Sequence, residues 1–302
     1  MTDSDRPDLS VVVPSVNGPD ILLRVLDALD RQQGDVRLEI LVPERCGPTV
    51  RNAVATRFPH AILLPVPAEI GIPTMRRLAF ERATADSVAV IEDHVLVPPD
   101  WAARLVAARR AGHEVAGGSV VNGATDRLVD RAAFLCEYGH MLEPQEPGPA
   151  DWVTGNNVVY ARNLLERFSD VIAEDRWENR LHEAVSEAGI PLVACPEVEV
   201  AHMMHYRSAL EYAGQRYLYS RAYAGMRTAA NGLPAKLVYS LGACALPPVL
   251  LMRVLRSAWR RAETRRDVAL SLPLLALFVT AWAAGEAVGA LMGPGDALQR
   301  VR

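Results

Sequence analysis

Lysine is nearly absent from this chain: of its 32 basic residues, all but Lys236 are arginine. Biased codon usage accounts for that as well as any anion-binding role would. Cysteine is sparse too. Cys46, Cys136, Cys195 and Cys244 form no CxxC pair and no zinc spacing, which argues against a zinc ribbon or a dithiol redox centre. They read as reduced, mostly packed thiols of a cytoplasmic protein. No excess of positive charge exists either; the net charge is −4, so no nucleic-acid partner is expected. The opening MTDSDRPD is acidic and polar, so no secretory leader is expected and the chain should start in the cytoplasm. Internal repeats and low-complexity tracts are missing. What is present is a chain of 302 residues, half of them hydrophobic, enough for one large domain or a domain with an appendage.

The first hundred residues alternate in period. LSVVVP (9–14) is an apolar run closed by proline, as a buried strand is. GPDILLRVLDALDRQQG spaces its apolar residues helically and stops at glycine. LEILVP (38–43), AILLPVP (61–67) and SVAVIED (87–93) repeat the strand pattern, with TVRNAVATRF and IPTMRRLAFERATA as the helices between them. Such alternation predicts parallel βαβ units with both sheet faces covered. Ligands gather at the carboxyl ends of such strands, where Pro14-Ser15, Glu44 and Glu92-Asp93-His94 fall. Further on, WVTGNNVVYAR (152–162) reads as a polar turn entering a strand. DRWENRLHEAVSEAG (175–189) reads as a helix ending at Gly189, and PLVACPEVEVAH (191–202) as another strand.

These pieces, in this order over roughly residues 9–205, resemble the family 2 glycosyltransferases of membrane-associated bacterial type. VVVPSVN is similar to that family's first strand and nucleotide loop, and LEILVPE to its second strand. GIPTMRRLAFERA resembles the stretch with the family's Ala-Arg-Asn, VIEDHVLVPPDW the strand with Asp-x-Asp, and VTGNNVVYAR the acceptor-side Gly-x-Asn segment. WENRLHEAVSEAG looks like the helix that begins with the catalytic acid. The resemblance implies a GT-A-type α/β fold: a Rossmann-like, mostly parallel sheet flanked by helices, with a helical membrane-associated region after it.

It also implies roles. Pro14, Ser15 and Asn17 would belong to the nucleotide loop, and Glu44 would hold the nucleobase or ribose unless it is a loop carboxylate paired with Arg45. Arg76 or Arg77, on different faces of one helix, would reach the diphosphate. Glu92 and His94 take the two Asp positions of Asp-x-Asp, with Asp93 between them and His202 as a further candidate; His205 is less favoured. A diphosphate leaving group needs a divalent cation or arginines. Exchanging a carboxylate for imidazole shifts the expected metal from Mg²⁺ toward Mn²⁺. Aligning Gly189 with the glycine closing the family's catalytic helix puts Glu178 at the base position, with Asp175 as runner-up. Asn156, Asn157 and Trp152 would shape the donor-sugar or acceptor pocket.

After about Arg227 the composition changes. Leu237–Met252 and Val268–Gly285 carry no charge, and an arginine-rich linker (Arg253, Arg256, Arg260, Arg261, Arg265, Arg266) separates them. The expected division is a catalytic domain over 1–205, an interfacial segment over 206–235 and two membrane-associated helices over 236–302. The linker arginines favour the cytoplasmic side, so the first segment is expected to re-enter or lie at the interface and the second to cross; a two-helix hairpin is the competing picture. The function the resemblance implies, placed by the apolar tail, is inverting sugar transfer at the cytoplasmic face of the cell inner membrane. The donor would be UDP- or GDP-linked and the acceptor a lipid-linked or cell-envelope glycan. A non-catalytic partner of the same fold is the alternative, and a nucleotidyltransferase a weaker one, because its Gly-rich N-terminal loop is replaced by Pro14-Ser15-Val16-Asn17.

Overall fold

The computed structural model of the protein describes residues 6–141, 146–260 and 264–301. The first five residues of the opening segment and Arg261 of the linker lie outside the described residues. In chain order the elements are β1 (Leu9–Val12), α1 (Pro19–Asp30), β2 (Leu38–Glu44), α2 (Pro48–Arg57), β3 (Ile62–Pro65), α3 (Ile72–Arg82) and β4 (Ser87–Ile91). Then come β5 (Val95–Leu96), α4 (Trp101–Arg110), β6 (Val115–Asn122), α5 (Leu128–Tyr138), β7 (Gly148–Ala150) and β8 (Asn157–Ala161). They are followed by α6 (Arg162–Arg167), α7 (Ser169–Ile172), α8 (Glu178–Glu187) and β9 (Leu192–His202). The last helices are α9 (Ala209–Arg227), α10 (Leu233–Gly242), α11 (Leu246–Trp259), α12 (Arg265–Met292) and α13 (Ala297–Arg300).

Local sequence explains the first half. Leu22, Val25, Leu26 and Leu29 make one buried stripe on α1. Gly18 and Gly47 enter α1 and α2 at φ +92° and +100°, each before a proline that opens the helix. β1 and β4 are buried along their whole length, as central strands covered by helices on both faces must be.

The expected α/β sheet flanked by helices is present, in the order β3-β2-β1-β4-β8-β6-β9-β5, with β7 paired to β9. Parallel pairing joins β3, β2, β1 and β4. Beyond β4 it gives way to antiparallel pairs of β4 with β8, β8 with β6, and β9 with both β5 and β7. The sheet is therefore mixed, and the mostly parallel arrangement belongs to its first half alone. The helix expected from residue 175 begins at Glu178, because Asp175 adopts φ +51°, outside helical geometry.

The chain forms two compact units. The first comprises Met1–Val121 and Gln145–Met203, the second Asn122–Pro144 and Met204–Arg302. The catalytic span expected over 1–205 thus gives up its 122–144 segment. The reason is local: buried Asp130 of α5 accepts from Tyr206 N–H (2.9 Å) and His205 Nδ1 (2.9 Å), and Tyr212 donates to the Ala133 carbonyl.

Within the second unit, α12 packs on α9 through small residues. A Cβ on Gly285 would fall 2.0 Å from Ser220 Oγ, and one on Gly289 2.3 Å from the Arg221 carbonyl. Arg227 pairs with Glu286 at 2.7 Å, Arg131 with Asp267 at 3.0 Å, and Arg216 lies over the Trp282 ring at 4.2 Å. In the segment expected to be interfacial, α9 accordingly has its arginines engaged by protein. Leu233–Trp259 and Arg265–Met292 are each long and apolar enough to cross a membrane. Pro247 and Pro248 sit in the first turn of α11, where the fixed φ of proline suits a helix start.

Candidate active site and metal centre

The site is assembled by strand register inside the first unit. Pairing of Val12 with Val90 sets the loop after β1 beside the loop after β4. Pairing of Ile91 with Asn157 brings Asn156 to Glu92, and its Nδ2 donates to Glu92 Oε2 at 3.1 Å. Pairing of Val95 with His202 brings a histidine 108 residues away against His94.

Asp93 is fully buried and serves as an anchor. Its Oδ2 accepts from the Val16 and Asn17 N–H groups (2.7 and 2.8 Å), and its Oδ1 from Asn17 Nδ2 (2.8 Å) and His94 Nδ1 (3.0 Å). One carboxylate therefore fixes both the loop after β1 and the orientation of the His94 ring. That leaves His94 Nε2 aimed at His202 Nε2 (3.1 Å) and Glu92 Oε2 (3.3 Å). Ligand atoms of Glu92, His94 and His202 all lie within 4.8 Å of one another.

The electrostatics favour a proton on His94 and disfavour one on His202. Burial opposes charge on His94, but Asp93 and Glu92 outweigh it and raise its pKa to about 10. Burial, then the charge on His94, push His202 down to about 3. Glu92 falls to about 2: burial opposes this, and hydrogen bonding and charge from His94, with Arg76 behind, prevail. A divalent cation fits the same trio, since one carboxylate and two imidazoles suit Mn²⁺ better than Mg²⁺. Asp93 supplies the outer carboxylate that orients a metal-bound histidine.

Arg76 links this trio to the opposite wall. Buried on α3, it donates from Nη1 to Glu178 Oε2 at 2.6 Å, and its Nη2 lies 3.7 Å from Glu92 Oε1. Its Nε is buried without a partner. Arg77 turns the other way to Asp175 at 3.0 Å, so the two neighbouring arginines separate the two candidate bases. Only Glu178 shares a guanidinium with the metal-capable trio. It opens α8, where the helix dipole favours its charge. Gly155 makes room for it: a Cβ there would fall 2.1 Å from Glu178 Cδ. Buried His182, one turn along α8, meets Tyr160 OH at 2.8 Å, and burial pushes its pKa down to about 4.

Other sequence candidates lie elsewhere. Glu44 is completely buried, with Oε1 accepting from Gly47 N–H (2.7 Å) and Oε2 from Arg51 Nε (2.6 Å). It holds the start of α2, and its cation is Arg51; Arg45 instead donates to the Ile70 carbonyl. Asn157 is a core clamp whose Nδ2 donates to the Ser119 and Val198 carbonyls and whose Oδ1 accepts from Trp101 Nε1. With both amide protons used and no exposure, it is not a pocket residue. Ser15 is buried and bridges to Glu44 through backbone pairing, while Pro14 is buried beside it. His205 belongs to the second unit with Asp130. Sequence reasoning missed the anchoring work of Asp93 and the contact of Gly155 with Glu178; the only signal for the latter was the glycine in TGNN.

Residues 10–167 match the family model described as Glycosyl transferase family 2. Among solved structures, a mannosyltransferase, PcManGT from Pyrobaculum calidifontis in complex with GDP-Man and Mn²⁺, shares the fold. It has TM-score 0.52 and 19% identity, covering 91% of this chain and 87% of that one. TarS residues 1–349 from S. aureus align with TM-score 0.48 and 14% identity over 93% of this chain and 90% of that one. No curated protein matches.

Proposed function

This chain belongs to glycosyl transferase family 2 and is a glycosyltransferase, and from that premise we propose that it is a metal-dependent inverting enzyme using a UDP- or GDP-linked sugar. The observation that carries the reading is the single guanidinium of Arg76, which contacts both Glu178 and Glu92 and so ties a candidate base to a candidate cation site. A neighbour of the same fold binds GDP-Man and Mn²⁺, which supports a nucleotide-sugar donor and a divalent metal.

Glu92, His94 and His202 would hold the cation, which when bound supplies positive charge to the departing diphosphate. Asp93 keeps Nδ1 of His94 occupied, which would leave Nε2 to face the cation, and Asn156 donates to the Glu92 carboxylate. Glu178 Oε2 takes the Arg76 N–H, and its Oε1 receives the proton of the attacking acceptor hydroxyl. As that O–H bond breaks, the acceptor oxygen bonds to the anomeric carbon. The bond from that carbon to the diphosphate oxygen breaks with its electron pair, and attack from the far side inverts the centre. The acceptor is a lipid-linked or cell-envelope glycan presented at the cytoplasmic membrane face, a reading supported by the two long apolar C-terminal helices.

Thermal-shift titration of UDP and GDP with and without Mn²⁺ tests the donor site. One nucleotide should stabilise the protein only with metal, and Mn²⁺ should outperform Mg²⁺ at matched free concentration. Glu178→Gln should retain that binding and lose turnover by about 10²–10⁴-fold. Metal-independent stabilisation, or wild-type turnover in the glutamine variant, would count against the proposal.

A further inference from the structure

The second unit carries an apolar surface that protein does not cover. No residue of α10 is buried. Val238 and Leu241 are 70% and 72% exposed, and on α11 Met252 is 64% and Trp259 50% exposed. Helices in proteins draw most of their stability from packing an apolar face, and the α10 part of Leu233–Trp259 buries none of its residues in protein; exposed apolar side chains gathered on one segment mark a docking surface.

Charge says what covers it. Residues 212–262 contain eight basic side chains and no aspartate or glutamate, in a chain whose net charge is −4. Arg253 and Arg256 of α11, and Arg260 capping it beside Trp259, are all exposed. Apolar side chains flanked by arginines and a tryptophan match the boundary between acyl chains and anionic headgroups.

Two long apolar helices invite the reading of a membrane hairpin, and the packing of α12 opposes it. Along its length α12 is held by charged partners: Asp267 by Arg131 near its start, Glu286 by Arg227 near its end, and Trp282 under Arg216. Helices α5 and α9, which supply those arginines, pack directly on α12, with Gly285 and Gly289 in backbone contact with α9. A hairpin crossing the bilayer would carry these helices and their arginines into hydrocarbon, where charged side chains are costly. The apolar window of α12 is 39% buried, that of Leu233–Trp259 only 11%.

We propose that the second unit rests on an anionic lipid bilayer through α10 and the exposed face of α11, with α12 held by one face against α5 and α9, and does not cross the membrane. Apolar side chains of α10 enter the acyl region, while Arg253, Arg256 and Arg260 reach headgroup phosphates. This inference does not depend on the transfer chemistry, and its failure would leave that chemistry untouched.

Flotation of the full chain with phosphatidylcholine vesicles, with and without phosphatidylglycerol, tests it. Binding should require the anionic lipid, and Arg253→Gln/Arg256→Gln/Arg260→Gln should weaken it about a hundredfold with an unchanged circular dichroism spectrum. Leu237→Asp/Leu241→Asp should abolish it. Equal binding to neutral vesicles, or no binding together with a dimer that Leu241→Asp dissociates, would overturn the proposal in favour of plain partitioning or a second copy of the chain. For crossing, Asn231→Cys, Arg260→Cys and Gln299→Cys are each placed in a Cys46→Ser/Cys244→Ser background, since both native thiols are exposed, and labelled with an impermeant maleimide in inverted and right-side-out membrane vesicles. All three sites should react in the same preparation; opposite reaction of residues 231 and 260 means that α10–α11 spans, opposite reaction of 260 and 299 means that α12 spans, and either overturns the proposal.

Discussion

Asp93 is the residue on which the site's order depends. Two backbone N–H groups, one amide and one imidazole converge on its two oxygens. In Asp93→Asn the new NH₂ group would face donors, leaving at least one unpaired. Urea denaturation should show a loss of about 2–3 kcal/mol, and metal titration a 10–100-fold weaker Mn²⁺ affinity. Gly155 is the second such position. With its Cβ only 2.1 Å from Glu178 Cδ, Gly155→Ala must displace the candidate base. Turnover should fall about 10²-fold or more while nucleotide affinity and folding hold, a split that steady-state kinetics and thermal shift can read. Equal losses in all three would mean that Gly155 serves only packing.

Between elements, α8 and β8 meet through His182 and Tyr160. Burial holds the His182 pKa near 4, against the ordinary histidine value of 6.5. Above 6.5 the histidine is neutral in both folded and unfolded chains and contributes no pH dependence. As pH falls from 6.5 toward 4 the unfolded chain takes up a proton that the folded chain refuses, so stability is lost across that window. The full effect is roughly 3 kcal/mol. Chemical denaturation from pH 7 to pH 4 should show this slope, and His182→Gln should flatten it.

Two compact units in one chain predict calorimetric behaviour beyond a single two-state transition. Mn²⁺ with the preferred nucleotide should raise only the transition of the first unit, since ligand binding stabilises only what it binds. Gly289→Leu forces a side chain against the Arg221 carbonyl, 2.3 Å from where its Cβ would sit. It should lower only the transition of the second unit. Two transitions that move together under both perturbations would show the units to be one cooperative body.

The amino-acid sequence by itself determined the strand–helix alternation, the placement of Glu92-Asp93-His94 at a strand end and the apolar character of the C-terminal helices. These are properties of short windows, where periodicity and punctuation act locally. It also carried Glu178, Arg76 and His202 as candidates, and these three stand around one site. Only the tertiary structure decided which polar groups meet. His202 reaches His94 because β9 pairs with β5 in one register. Glu44 is spent on Arg51 and Asn157 on strand carbonyls, and residues 122–144 join the helical unit. Such contacts depend on pairing between distant segments, and a carboxylate or amide looks the same in sequence whether it faces a ligand or its own backbone.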